Sequence, residues 1–524
     1  MNEEKPPAQI REDGSLPDVF LPLRNFVEKN TQKSSRIHLA AIAGLGLLTV
    51  FLFLNLLDSD FSAMQKAIGA AILFILFGEI ARAFGRWDGF WGLILFRDRS
   101  TLSWIDRQAK KYSAVWIALA DLGLVLGYGL SSWVLIGAEQ KKDKHRLAIM
   151  YIGGLLILIM FSALAAPMAM PVIVGMVSGT DITSASAQMR ETVSGIDSFS
   201  LAPYGIDINV NWFSLALFVV LVLFGLAGSV LISLVMYSVM IIPAIVGSIG
   251  SFILSVFGMG TFNSDDVPAP GGAPILPGVN LPFFEGILAL AALLVVHEMS
   301  HGLLARIAEI KLDSAGLVFF GILPFGAFVE PDEKHMHEIE KYKENRILVA
   351  GSASNIIFAI ISFFALSALL YTTYDLRLEG YTVTGGNLPA GAIVQSIDGI
   401  EYSGQNLTIA PNKEIVIVTD EGTFTRTTNE DGKVGITMAR IDKSGYGFRY
   451  KFVDDFEWLV FVLNTLGLLF ATNMLVGVVN LLPIPLFDGN RIMVNGVSND
   501  RIAFAITAVA SIAFAVNLLP WIFR

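Results

Sequence analysis

Cysteine is absent from all 524 residues. Disulfides, thiolate metal ligands, iron–sulfur clusters and a cysteine nucleophile are thereby excluded, and any metal site has to be built from His, Asp or Glu. Charge is scarce: 16% of residues carry one, against about a quarter in a soluble domain, while 54% are hydrophobic. That balance excludes a soluble enzyme and a secreted protein. Between Arg190 and Arg306 there is no Lys or Arg at all. Elsewhere the basic residues sit in short stretches between apolar runs, where they act as topology signals and not as a surface for nucleic acid. Met1 to Arg36 is polar and lacks the apolar core of a signal peptide, so it reads as a cytosolic tail.

Hydrophobic sequence of membrane length fills the chain instead. Apolar stretches run over about 38–57, 66–81, 114–137, 147–177, 211–257, 281–308, 346–371, 456–482 and 502–522, most of them near or above the roughly 20 residues that span a bilayer. The 211–257 stretch is long enough for two crossings, and roughly eight to ten membrane helices are expected, as in an integral multi-pass protein of the cell membrane. Arg86, Arg97, Arg99, Arg107, Lys110 and Lys111 place the 85–113 connection inside, and Arg306, Lys311, Lys334, Lys341, Lys343 and Arg346 do the same for 306–346. The cation-poor 179–210 loop and the Pro/Gly-rich Asp265 to Gly278 stretch then lie outside. Because Lys141, Lys142, Lys144 and Arg146 also ask for the inside, one run between 113 and 280 is expected to be re-entrant.

Between about 376 and 452 the pattern changes to short β-branched and aromatic runs separated by Gly, Asn and Asp turns: Ile415 to Val418, Thr423 to Thr425 and Val434 to Met438. A last alternating strand carries Tyr446, Phe448, Tyr450 and Phe452 on one face. The expected fold is an α-helical polytopic membrane protein with a small β-rich extramembrane domain. It divides into a polar tail (1–37), a helical block without an assignable motif (38–257), an external linker (258–280), a membrane segment (281–375), the β-rich domain (376–452) and a second membrane segment (453–524).

Only six histidines occur, and two of them stand in Val296-His297-Glu298-Met299-Ser300-His301-Gly302. At i and i+4 both imidazoles lie on one helical face and converge on one tetrahedral ion, while Glu298 is placed to take a proton from a water that the metal acidifies. This is a zinc-hydrolase arrangement; interior histidines hydrogen-bonded between helices are the plainer alternative. At 1.5 Å per residue His297 lies about 14 Å from the basic helix end at Arg306, inside the hydrocarbon layer. A third ligand is needed. Asp488 is the best placed, in Asn480-Leu481-Leu482-Pro483-Ile484-Pro485-Leu486-Phe487-Asp488-Gly489, where the prolines break a helix and free backbone that is tolerated at membrane depth only against protein or a wet cavity. A polar helix end before Arg491 is the other reading of Asp488. Asn355, closing Gly351-Ser352-Ala353-Ser354-Asn355, sits about 14 Å past Arg346 and level with His297. Its amide could stabilise an oxyanion or make an interhelical hydrogen bond at a small-residue packing face. His335-Met336-His337 among acids reads as a solvated interfacial helix and not as a second metal site.

These residues resemble the site-2 proteases, zinc metalloproteases that cut peptide bonds within the membrane, in the prokaryotic and archaeal form with a PDZ-like insertion. The resemblance rests on His297-Glu298-x-x-His301, the element ending at Asn355 and the element from Asn480 to Asp488-Gly489, in the family's order. It implies that His297, His301 and Asp488 bind one zinc ion, that Glu298 is the general base and acid, and that Asn355 and Asn480 stabilise or position the reacting peptide. It also makes 281–375 and 453–524 the two halves of a protease core. The family's common Gly-Pro-x-x-Asn is Gly351-Ser352-x-x-Asn355 here, which leaves the asparagine in place and changes the local helix. Gly316 to Pro331 is similar to the family's membrane-dipping β-hairpin, an apolar, Gly-punctuated pair of strands that could offer an unpaired edge to an unwound substrate. Leu388-Pro389-Ala390-Gly391-Ala392-Ile393-Val394-Gln395-Ser396-Ile397-Asp398-Gly399 resembles the turn and strand of a PDZ domain.

The resemblance implies an intramembrane zinc endopeptidase whose partners are transmembrane protein substrates and the lipid bilayer, with no nucleic acid. Its rivals are a prenyl-protein-type membrane metalloprotease, which takes glutamate as third ligand, and a metal transporter or inactive metal-binding protein. Glu298 separates the last pair from a protease, because transport has no need of a carboxylate between two ligands at this spacing.

Overall fold

The computed structural model describes residues 35–160, 198–200, 209–374, 380–441 and 457–523, apart from 60, 62, 138–140, 142, 264–266, 273–274, 276, 278–280, 390–391, 406 and 408. The N-terminal tail, most of the 179–210 loop, the end of the 147–177 run and the strand expected at 446–452 lie outside the described residues. In chain order the elements begin with α1 (Ser35–Leu57), α2 (Ala63–Gly85), β1 (Leu93–Arg97), α3 (Arg99–Lys111), α4 (Ser113–Tyr128) and a 3-10 turn at Gly129–Val134. A helix over 144–160 follows, then β2 (Ser198–Ser200), β3 (Asn209–Asn211), α5 (Trp212–Val256), α6 (Phe283–Ile307), β4 (Leu312–Phe320), β5 (Leu323–Pro331), α7 (Glu333–Glu338) and α8 (Lys341–Thr372). The β-rich domain supplies β6 (Gly380–Gly386), β7 (Ile393–Ile397), β8 (Ile400–Glu401), β9 (Glu414–Thr419), β10 (Gly422–Thr427) and β11 (Ile436–Ile441), and the chain ends with α9 (Glu457–Val479), α10 (Asp488–Gly496) and α11 (Asp500–Phe523).

Seven of the described helices are long and apolar enough to cross a membrane, and Ala41–Leu56 adds a shorter apolar one. Large apolar side chains stand uncovered on their outer faces: Leu47 is 73% exposed, Met240 73% and Phe504 75%. In water such faces would drive aggregation; against lipid they need no other cover, and their helices satisfy their own backbone, so the chain is a multi-pass membrane protein. The 211–257 run is broken at Gly225 (φ 66°, ψ −164°), where two helices meet within α5, and the longer second helix carries Pro243.

Sequence outside the 281–375 segment completes its sheet. β1 pairs antiparallel with β4, from Leu93 opposite Phe320 to Arg97 opposite Gly316, and β4 pairs with β5, giving the order β1-β4-β5. Gly321 turns the hairpin at φ 59° and donates its N–H to the Gly92 carbonyl at 2.9 Å. After β1, Asp98 caps α3, accepting from the amides of Ser100 and Thr101 at 3.1 and 3.0 Å. Side-chain hydrogen bonds from Ser100, with the backbone amides, hold its carboxyl down to about 2. α3 buries Ile105 and Ala109 and exposes Trp104, Arg107, Lys110 and Lys111. Its Asp106 accepts from Arg306 Nε at 2.6 Å, fixing α3 to the end of α6.

The β-rich domain forms one antiparallel sheet, β10-β9-β7-β6-β11, with β8 on β7. Val383, Val394, Ile397, Ile415 and Ile417 fill its core, as the alternation along Ile415 to Val418 requires. Asp398 (φ 52°) and Gly399 (φ 78°) make the two-residue hairpin turn between β7 and β8. Among the described residues no helix accompanies this sheet. In the membrane core, α8 packs against α4, α6 and α9, which sets it behind the chemistry described next.

Candidate metal centre

The i, i+4 spacing on α6 brings His297 and His301 onto one face, with their Nε2 atoms 3.1 Å apart and ring centroids 4.7 Å apart. Asp488, the first residue of α10, places Oδ2 3.3 Å from His301 Nε2 and 3.6 Å from His297 Nε2. One ligand atom from each of the three residues lies within 4.8 Å of the others. Glu298 stands beside this cluster, half-buried. The three positions singled out as metal ligands therefore converge, although His301 and Asp488 are far apart in sequence.

Each ring is held from behind by α8. His301 Nδ1 donates to the Ile347 carbonyl at 2.7 Å, which puts its proton on Nδ1 and leaves a lone pair on Nε2. His297 Nδ1 meets the Asn355 side-chain amide at 3.1 Å. Asn355 is fully buried and its Oδ1 has no hydrogen-bond partner. Turning that amide over would let Oδ1 accept from His297 Nδ1–H, the tautomer that frees Nε2. Asn355 on α8 thus makes an interhelical hydrogen bond to a ligand ring on α6. Gly351 faces the cluster between these two supports: a Cβ there would fall 2.5 Å from His301 Nε2 and 2.6 Å from His297 Nε2.

Asn480 enters the site directly. Its Nδ2 donates to Asp488 Oδ2 at 2.6 Å and lies 3.3 Å from His297 Nε2. The segment between them closes on itself, because Gly489 N–H donates to the Asn480 carbonyl at 2.9 Å, and any Cβ on Gly489 would strike the Leu481 carbonyl. Within the loop Leu486 has φ 78° and is wholly exposed. Glu344 on α8 secures α10: its carboxylate takes Arg491 Nε at 2.6 Å and Asn495 Nδ2 at 2.9 Å. His337 meets Arg491 at 3.0 Å, and His335-Met336-His337 forms no metal cluster among the described residues.

A divalent ion fits this donor set. Two imidazole nitrogens with their other nitrogens engaged, a carboxylate oxygen and a glycine-made clearance match a tetrahedral site with one open position. The supports at Gly351, Ile347 and Glu344 went unread from the sequence as such. Gly351 and Glu344 carried a signal, a glycine at a conspicuous spacing and a carboxylate at the start of an apolar helix, but their partners are long-range.

Residues 285–520 match the model of peptidase family M50, the site-2 protease family, so the resemblance read from the motifs holds over this segment, and the family is one of metallopeptidases. An uncharacterized protein of Methanocaldococcus jannaschii is 28% identical over 244 residues, which cover 43% of this chain and 61% of that relative. The match thus spans less than two thirds of the relative's length.

Proposed function

We propose that this chain is an intramembrane zinc-dependent endopeptidase that cuts transmembrane segments of other proteins. One observation carries the reading: His297, His301 and Asp488 converge with Glu298 beside them, on helices of membrane length within an M50 segment. The depth of about 14 Å from Arg306 makes a soluble cleft the wrong setting and a membrane-embedded peptide the fitting substrate. A zinc ion held by His297, His301 and Asp488 would supply Lewis-acid polarisation of the scissile carbonyl and acidify a water.

The chain's own residues do the rest. Ile347 and Asn355 hold the imidazoles, and Asn480 holds the Asp488 carboxylate. Glu298 accepts the proton of the attacking water and returns it to the leaving amine. Because β1 covers the outer edge of β4, a substrate segment that has unwound would add to the edge of β5 that no described strand pairs, the intramembrane hairpin of this reading. β5 runs along α6 here: Gly326 packs on Leu294 and Val329 on Gly302, on either side of the two histidines. The 380–441 sheet, in the place of a PDZ-like domain, is assigned to screening the extramembrane parts of substrates, and 281–375 with 453–524 to the protease core. The setting is the cell membrane.

The test is cleavage of a single-span substrate by purified protein in liposomes, with Glu298→Gln as the pair and zinc measured on both. Cleavage by the wild type alone, at equal zinc, is expected. Cleavage surviving in Glu298→Gln removes Glu298 from the mechanism, and zinc without cleavage of any substrate turns the reading to an inactive metal-binding protein.

A further inference from the structure

The helical block before residue 258 lies outside the M50 segment, yet α4 is built into the metal centre. Gly123 and Gly127, one turn apart, let α4 approach two elements closely. A Cβ on Gly123 would strike Ala353 of α8, and one on Gly127 would lie 2.6 Å from Leu481 Cδ1. Asp121, on the same helix, takes Arg346 bidentately at 2.7 and 2.7 Å, with the two side chains 6% and 12% exposed. An unpaired buried charge is costly, so this pair fixes α4 to α8 in one register.

Tyr128 completes the junction. Its hydroxyl donates to the Leu481 carbonyl at 3.0 Å. Four residues beyond Leu481, where a helix would supply the N–H for this carbonyl, stands Pro485, which has none. Leu481 is fully buried, so water does not reach the carbonyl freely and a side-chain donor has to replace the missing amide. The hydroxyl that does so comes from outside the segment that carries the zinc motifs. Leu481 follows Asn480, whose carbonyl closes the loop on Gly489 and whose amide holds Asp488. We propose that Tyr128 is a positioning residue for the third metal ligand, holding the Asn480–Gly489 loop, and with it Asp488, at the place where the two histidines need it. The inference rests on the metal-centre reading above, and it gives the N-terminal block a share in the active site.

The experiment uses the full-length protein in detergent, as wild type, Tyr128→Phe and Tyr151→Phe. The last removes a hydroxyl that bonds Ser132 at 2.9 Å in the same block without touching the loop. Three quantities are read: zinc affinity by competition with a chelator, the visible absorption of the cobalt-substituted protein, and the thermal unfolding of the metal-free protein. Tyr128→Phe is expected to bind zinc about tenfold more weakly, the lower end for outer-shell partners, and to alter the cobalt spectrum, while the metal-free protein still unfolds cooperatively, at a temperature lowered by the one carbonyl left without a donor. Tyr151→Phe is expected to change none of the three. Wild-type affinity and spectrum in Tyr128→Phe overturn the inference, as does weaker zinc binding with an unchanged cobalt spectrum, or an equal loss of affinity in Tyr151→Phe. A wild type that binds no zinc is a separate result: it removes the metal-centre reading itself before any variant is compared.

Discussion

Asn480 donates its amide to Asp488 Oδ2 at 2.6 Å across a loop that two prolines keep out of helical form. The bond orients the carboxylate toward both imidazoles, so the loop's closure and the ligand's direction are one feature. Asn480→Ala should leave the fold intact and weaken zinc binding by about 10- to 100-fold, the range for partners of metal ligands. Chelator competition measures it, and an unchanged affinity would mean that Asp488 is oriented by something else.

Gly351→Ala separates the helix from the site. Alanine favours a helix interior by about 0.8–1.0 kcal/mol over glycine, so α8 itself should not weaken. The added methyl nevertheless sits 2.5 Å from His301 Nε2, in the space an ion needs. The expected result is loss of bound zinc, read by elemental analysis, at an unfolding temperature no lower than that of the metal-free wild type.

Asn355→Leu distinguishes orienting a ligand from stabilising an oxyanion. With Asn355 behind His297, its loss should lower zinc affinity by about 10- to 100-fold and largely spare kcat once zinc is saturating. A drop in kcat at full zinc occupancy, with affinity unchanged, would return the amide to the reacting carbonyl.

Glu298→Gln should keep zinc at wild-type stoichiometry and lose about 10²- to 10⁴-fold in cleavage rate, the contribution of a positioned general base. Asp488→Ala should lose both. Parallel zinc content and turnover on the two variants is the check.

Glu344→Ala leaves Arg491 without its carboxylate and removes one of the two acceptors of the Asn495 amide, the other being Asn345 Oδ1 at 3.0 Å. Breaking such a buried pair costs about 3–5 kcal/mol, and the effect should lie at the low end because Arg491 also meets His337 and is partly exposed. Thermal unfolding gives the stability loss. Weaker zinc binding should accompany it, since α10 begins at Asp488.

Much of this protein is legible in its sequence because the signals are local. Apolar runs of membrane length fix helices whose backbone has no other way to be satisfied in lipid; the i, i+4 histidines must share a face on any helix; and alternation at Ile415 to Val418 fixes which side of β9 is buried. Other features depend on what folding brings alongside. That β1 completes the hairpin's sheet and that Asn355 hydrogen-bonds to the His297 ring are facts of packing between elements distant in the chain. Pro485 could be read as removing a donor from the Leu481 carbonyl. Only the tertiary structure decides that the replacement is Tyr128, because hydrogen bonds between distant residues leave no periodic trace in either stretch of sequence.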